Sequence, residues 1–241
     1  MQSNDQRAYD RGTTIFSPDG RLYQVEYARE AVKRGGATVG VRTADGVVFA
    51  SNGPRRSPLL EPESIEKLHD VDGRIGMATT GHVADGRRLV DYGRRYAHQE
   101  RLRYGDAPDT EPVAKAIADY IQESTQTGGT RPFGTALLVG GVDDDGPRLF
   151  EVDPSGTPAE WRAVAVGNQS REVRAFLEAE YEDGLALDTG TTLVLRALAD
   201  SLGELDAVDV DVATMDADGF TSLALDQRRA AFEAAGLGPA S

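Results

Sequence analysis

Short apolar runs joined by Asp-Gly pairs give way to helical periodicity, then return, and that alternation organises the whole chain. ATVGVR (37–42) meets VVFAS (47–51) across Ala44-Asp45-Gly46, and Asp-Gly between apolar segments is a strong hairpin signal. A proline-rich loop (54–62) leads to a second hairpin, KLHDV and RIGMAT, across Asp72-Gly73. Two helical patterns follow. In the first, Val83, Gly86, Val90, Gly93 and Ala97 form one narrow face of small residues suited to close packing. The second runs from about Pro112 to Gln126 and ends at the breaker Gly128-Gly129. Strands resume with FGTALLVGGV, a turn at Asp143 to Gly146, PRLFEVD, and AEWRAVAVG read as a single strand. Helices are predicted over 170–181 and 189–202, then a strand over 208–215, an Asp-Gly turn and a short helix near 227–235. Hairpins, not β-α units, connect the strands. This predicts an α+β fold with antiparallel sheets and helices segregated outside, and excludes a doubly wound parallel sheet.

The first buried-looking strand is deferred until residue 37. In front of it an extended arm, Tyr9 to Phe16, passes through the turn Ser17-Pro18-Asp19-Gly20 into an amphipathic helix. Ser17 and Asp19 suit a helix start and Pro18 fixes the backbone there. Leu22, Val25, Ala28, Arg29 and Val32 form one stripe able to dock on something.

At 241 residues the chain suits one large domain, and no repeat or linker divides it. The absence of cysteine excludes disulfides and thiolate metal sites. The polar start MQSNDQRAYDRG has no apolar leader, and no run reaches membrane-spanning length, so a cytoplasmic location is expected. A net charge of −14 argues against nucleic acid or an acidic membrane surface as partner. Asp and Arg are plentiful, whereas only Lys33, Lys67 and Lys115 are lysine. A salt-rich cytoplasm and an arginine-favouring genome both account for this, and together they suggest a halophilic archaeon. No metal or cofactor is expected: His69, His82 and His98 fall on different elements without ligand spacing, and Asp143 to Gly146 lacks the calcium-loop pattern.

Residues 9–33, YDRGTTIFSPDGRLYQVEYAREAVK, closely resemble the signature of proteasome α-type subunits, with wording near that of archaeal members. The similarity continues in order through SIEKL (64–68), TGHVADGRRLVDYGR (80–94), TQTGGTRPFG (125–134) and DPSGTPAEWRAVAVG (153–167). It implies a four-layer αββα sandwich, the N-terminal-nucleophile hydrolase fold, over 36–241, with residues 1–35 as gating arm and ring-packing helix. It also implies a seven-membered ring of α subunits stacked on proteolytic β subunits. Regulatory AAA+ ATPases would dock on that ring, and unfolded protein would pass through it.

Sister β subunits use an N-terminal threonine whose free α-amine serves as base. Here Gly36 stands where the resemblance places that threonine, Thr38 lies inside a strand pattern, and about 35 residues precede it. A non-catalytic role is expected; the alternative is an active threonine peptidase or other N-terminal-nucleophile hydrolase. The resemblance assigns the gate to Tyr9, Asp10, Pro18 and Tyr27. It assigns a pocket for the C-terminal carboxylate of ATPase tails, ending hydrophobic–tyrosine–any residue, to Lys67, with Glu26 and Gly81 alongside. A compact ammonium suits a lone carboxylate, but a surface lysine paired with Glu63 or Glu66 fits the same letters. The pore constriction falls at Thr127, Gly128 and Gly129, with Thr127 where archaeal relatives typically carry tyrosine. Gly86 stands in place of the usual alanine, at about 1 kcal/mol of helix propensity unless close packing requires it.

Overall fold

The computed structural model describes residues 16, 20–53, 59, 64–127 and 130–238. Two five-stranded antiparallel sheets face each other. The first contains β1 (Thr38–Arg42), β2 (Val47–Asn52), β8 (Ala163–Val166), β9 (Val210–Asp216) and β10 (Gly219–Ser222), in the order β10-β9-β2-β1-β8. The second contains β3 (Leu68–Asp70), β4 (Ile75–Gly81), β5 (Thr135–Asp143), β6 (Gly146–Val152) and β7 (Pro158–Glu160), in the order β3-β4-β5-β6-β7.

Alternation along each strand divides the apolar side chains among three cores. In β2, Val47 and Phe49 face the other sheet and meet Leu138, Leu149 and Met215, while Val48 and Ala50 face outward. That outward face of the first sheet is covered by α4 (Ser170–Glu180), α5 (Leu187–Leu202) and α6 (Leu225–Ala234), with Leu177, Leu195, Leu198 and Phe232 buried there. The outward face of the second sheet is covered by α2 (Val83–Tyr104) and α3 (Thr110–Gln126) through Leu89, Ile117 and Ile121. The result is helix, sheet, sheet, helix, the expected four-layer sandwich. Burial on both faces explains why the strands read as near-continuous apolar runs.

The small-residue face of α2 packs as expected: a β-carbon on Gly86 would lie 3.1 Å from the Thr79 side chain, and one on Gly93 2.6 Å from Met77. At Gly86 a β-carbon would be tight against Thr79, and at Gly93 it would not fit without a shift of Met77.

Three expectations need correction. Helix α1 (Tyr23–Lys33) begins at Tyr23 with Leu22 as its N-cap, whereas Ser17 and Asp19 lie outside the described residues. Val25, Ala28 and Val32 are buried as the stripe predicts, but Arg29 leaves it to bind Asp153. The segment AEWRAVAVG, expected as one strand, is two: β7 belongs to the second sheet and β8 to the first. The change of sheet occurs between neighbouring residues, Trp161 donating its N–H to Leu149 O of β6 while Arg162 O accepts from Arg42 N of β1. Strand β10 goes beyond the sequence expectation, because GFTS is short and half-exposed and is ordered by distant partners: pairing with β9, and Phe220, whose N–H donates to Gly73 O at 2.7 Å.

Candidate functional site

The site lies where α1, the residues before β3 and the start of α2 converge. Lys67 precedes β3, and its carbonyl accepts from Thr79 N, which fixes the backbone against β4. The side chain is buried, 8% exposed, and its ammonium donates to Asn52 O at 2.7 Å and to Ser51 Oγ at 3.1 Å. Ser51 Oγ lies 2.7 Å from Thr38 Oγ1, Thr38 meets Thr80 Oγ1, and Thr80 donates to Gly36 O at 3.3 Å. Lysine and three hydroxyls thus form a hydrogen-bonded chain that ends on the carbonyl of Gly36. The signal in the sequence is a polar residue inside each of three apolar runs: Thr38, Ser51 and Thr80. Buried hydroxyls persist in such places only when hydrogen-bonded.

Gly36 decides what this chain of hydrogen bonds cannot do. A β-carbon there would stand 2.1 Å from Asn52 O and 2.8 Å from Lys67 Nζ. No nucleophilic side chain fits at that position, and its nitrogen is a peptide amide in mid-chain, not an α-amine. Thr38, wholly buried as the first residue of β1, has its hydroxyl committed to Ser51 and Thr80.

Lys67 forms the floor of an open cleft of about 560 Å³, walled by Tyr27, Glu30, Ala31 and Arg34 of the α1 side, Gly36 and Ile65, and Gly81, His82 and Val83 at the head of α2. Gly81 has φ +117°, and a β-carbon there would strike Gly134 O at 2.2 Å, so the tight passage from β4 into α2 requires glycine. Of the pocket residues expected from sequence, Lys67 and Gly81 line the cleft. Glu26 lies outside the lining, with its carboxylate 2.6 Å from Arg29. Tyr27, assigned to the gate, is half exposed and lines this cleft, with its ring 6.5 Å from that of Tyr23. Arg34 and His82 also line it and carry no separate signal in the sequence. Tyr9, Asp10 and Pro18 lie outside the described residues, as do Gly128 and Gly129. Thr127 is the exposed C-cap of α3, its N–H and hydroxyl both bonded to Glu123 O.

Two ion pairs brace this region. Asp85, in the first turn of α2, accepts both nitrogens of Arg131 at 2.6 and 2.8 Å and the N–H of Gly134 at 2.9 Å. Burial pushes the Asp85 carboxyl up, but Arg131, Gly134 and nearby His82 outweigh it and hold it below the ordinary carboxylate range. Arg29 of α1 binds Asp153 at 2.7 Å. Burial pushes the Asp153 carboxyl up, but the Ser155 hydroxyl, Arg29 and the Thr157 N–H, all donating to it, outweigh that and hold it low. Among the described residues, no three His, Asp or Glu side chains gather as a metal site, and no helix is long and apolar enough to cross a membrane.

Residues 32–215 match the proteasome subunit family, and residues 9–31 match the N-terminal signature of its A-type subunits. The chain is 59% identical to the proteasome alpha 2 subunit of Haloarcula marismortui, covering 94% of each chain. It is 56% identical to the proteasome alpha subunit of Haloquadratum walsbyi, over 88% of this chain and 86% of the relative. It is 54% identical to the proteasome alpha 1 subunit of Haloferax volcanii, over 95% and 92%. The chain therefore belongs to the proteasome subunit family, as an alpha-type, non-catalytic member.

Proposed function

We propose that this chain forms the outer seven-membered ring of a 20S proteasome core particle in the cytoplasm. There it would gate access to the proteolytic β chamber and dock regulatory ATPases that feed it unfolded protein, including protein tagged by ubiquitin-like modifiers. Residues 1–35 serve as gate and ring-packing unit, with Tyr9, Asp10, Pro18 and Tyr27 stabilising the open state, and 36–241 is the scaffold. Thr127, Gly128 and Gly129 border the constriction. The observation that carries this reading is the Lys67 cleft: an ammonium held by Asn52 O and Ser51 Oγ on an open cleft that Arg34 also lines, beside a Gly36 with no room for a nucleophile. Such a site suits a terminal carboxylate, with apolar Ala31, Ile65 and Val83 for the side chains before it.

Two experiments test the reading. Lys67→Ala in the assembled particle should abolish stimulation by ATPase tails while leaving assembly intact; retained stimulation removes Lys67 from the site. Deleting Met1 to Thr13 should accelerate peptide hydrolysis by the sealed particle, and unchanged rates would refute the gate.

A further inference from the structure

The Lys67 cleft does not end at the head of α2. A second cleft, of about 440 Å³, adjoins it and shares two of its walls, Ile65 and Val83. Its remaining lining comes from Ser64, Glu66 and His69 on one side and Arg87, Val90, Asp91 and Arg94 on the other. Positions 83, 87, 90, 91 and 94 share one face of α2, so the second cleft runs lengthwise along the helix, away from Lys67. Ile65 and Val83 form the saddle between the two, and Val83 is 41% exposed although apolar.

Charge within the second cleft is unevenly committed. Arg94 donates to Asp70 O at 2.9 Å and lies 3.9 Å from Asp91, and Glu66 lies 3.5 Å from buried His69. Arg87 is exposed and has no ion-pair or hydrogen-bond partner among the described residues, in a chain of net charge −14 that pairs many of its other arginines.

Resting on the Lys67 reading above, we propose that the two clefts form one groove for an extended C-terminal segment of a partner protein. The terminal carboxylate sits at Lys67, an apolar side chain crosses the Ile65–Val83 saddle, and Arg87 reads an acidic side chain upstream. The spacing is set by geometry. Arg87 lies about 6 Å along the helix axis from Val83, roughly two residues of extended chain. The acidic residue therefore falls roughly three to six positions before the carboxylate, once the reach to Lys67 and the length of the arginine are included. Glu66 and Asp91 line the same cleft, so a basic residue misplaced by one or two positions would still find carboxylates, whereas of the two arginines there Arg94 is already engaged by Asp70 O and Asp91, which leaves Arg87 for an acidic side chain. The groove thus favours a particular acidic position rather than general negative charge.

The test uses fluorescent peptides of about eight residues, long enough to span both clefts, ending hydrophobic–tyrosine–alanine with a free carboxylate. They carry Glu, Ala or Lys at each upstream position and are titrated onto the assembled full-length protein. Glu at one position should bind about two- to five-fold tighter than Ala, the range of a surface ion pair, and the gain should shrink as salt rises. Arg87→Glu should erase that preference and favour Lys at the same position, whereas Arg87→Gln should leave Glu and Ala equal. Amidating the C-terminus should abolish binding of every peptide. If amidation abolishes binding but the upstream residue and Arg87 make no difference, the long groove is overturned and the Lys67 site stands. If amidation has no effect, the carboxylate site falls, and the groove falls with it.

Discussion

Lys67 and Asp85 both lie at the head of α2, only 8% and 6% exposed, in different surroundings. Asp85 is met from within: both its oxygens are taken by Arg131, one also by Gly134, and the group ties α2 to the segment entering β5. Lys67 is anchored from below by Ser51 and Asn52 and still forms the floor of an open cleft. Burial alone therefore does not distinguish a bracing charge from a binding one. The distinction lies in whether the charged atom borders space that another molecule can enter.

The severest way to break the contrast is to crowd the Lys67 side. Gly36→Thr places a β-carbon against Asn52 O, whose residue is itself held by a 2.8 Å hydrogen bond to Ala37 O, so the backbone cannot easily yield. A loss of about 3 kcal/mol in chemical denaturation is expected, at the upper end for overpacking, with no gain of peptidase activity. Acquired peptidase activity would overturn the non-catalytic assignment of this position.

Removing the brace should cost less. Asp85→Ala deletes a buried carboxylate and leaves Gly134 N–H without its acceptor, but Arg131 is 61% exposed and can turn to water. About 1–3 kcal/mol is expected, below the usual cost of breaking a fully buried pair. Peptide binding at Lys67 should survive in the folded fraction.

Acid titrates the brace without mutation. Asp85 and Asp153 are both held below their ordinary value of 3.8 in the folded chain. Their contribution is fully present above the unfolded value and is lost as pH falls through the depressed folded values. Denaturation midpoints should therefore drop progressively below about pH 4, and Asp85→Asn should flatten that drop. An unchanged slope would remove Asp85 from the account.

The smallest effect sharpens the boundary of the site. Glu26 pairs with Arg29 at 2.6 Å on a surface where both are about two-fifths exposed. Glu26→Gln should change stability by at most about 0.5 kcal/mol and leave tail binding unaltered, because Glu26 does not line the cleft. A several-fold loss of binding would return it to the pocket.

Local pattern carries most of the fold. Asp-Gly pairs mark four turns between strands, and the period of small residues in α2 identifies the face that meets Thr79 and Met77. The pattern fails where order comes from a distant partner. Residues 159–167 read as one strand because their alternation is nearly continuous, and only the separate positions of β6 and β1 divide them. Lys67 and Gly81 are legible through resemblance, but the hydroxyl chain behind Lys67 joins Thr38, Ser51 and Thr80 from three strands, a juxtaposition no local spacing encodes. Glu26 falls outside the cleft for a related reason: helical spacing places it near Tyr27, but Arg29 draws its carboxylate elsewhere.

The exchange of sheets at Trp161 and Arg162 has a mechanical consequence. Two consecutive residues hold opposite walls of the sandwich, so neither wall can slide past the other without tearing ladder hydrogen bonds on both sides of that peptide. Shear between the walls is locked at this seam. What rests on the rim stands outside that lock: α1 is held there by Val25, Ala28, Val32 and the Arg29–Asp153 pair, not by ladder hydrogen bonds to either sheet.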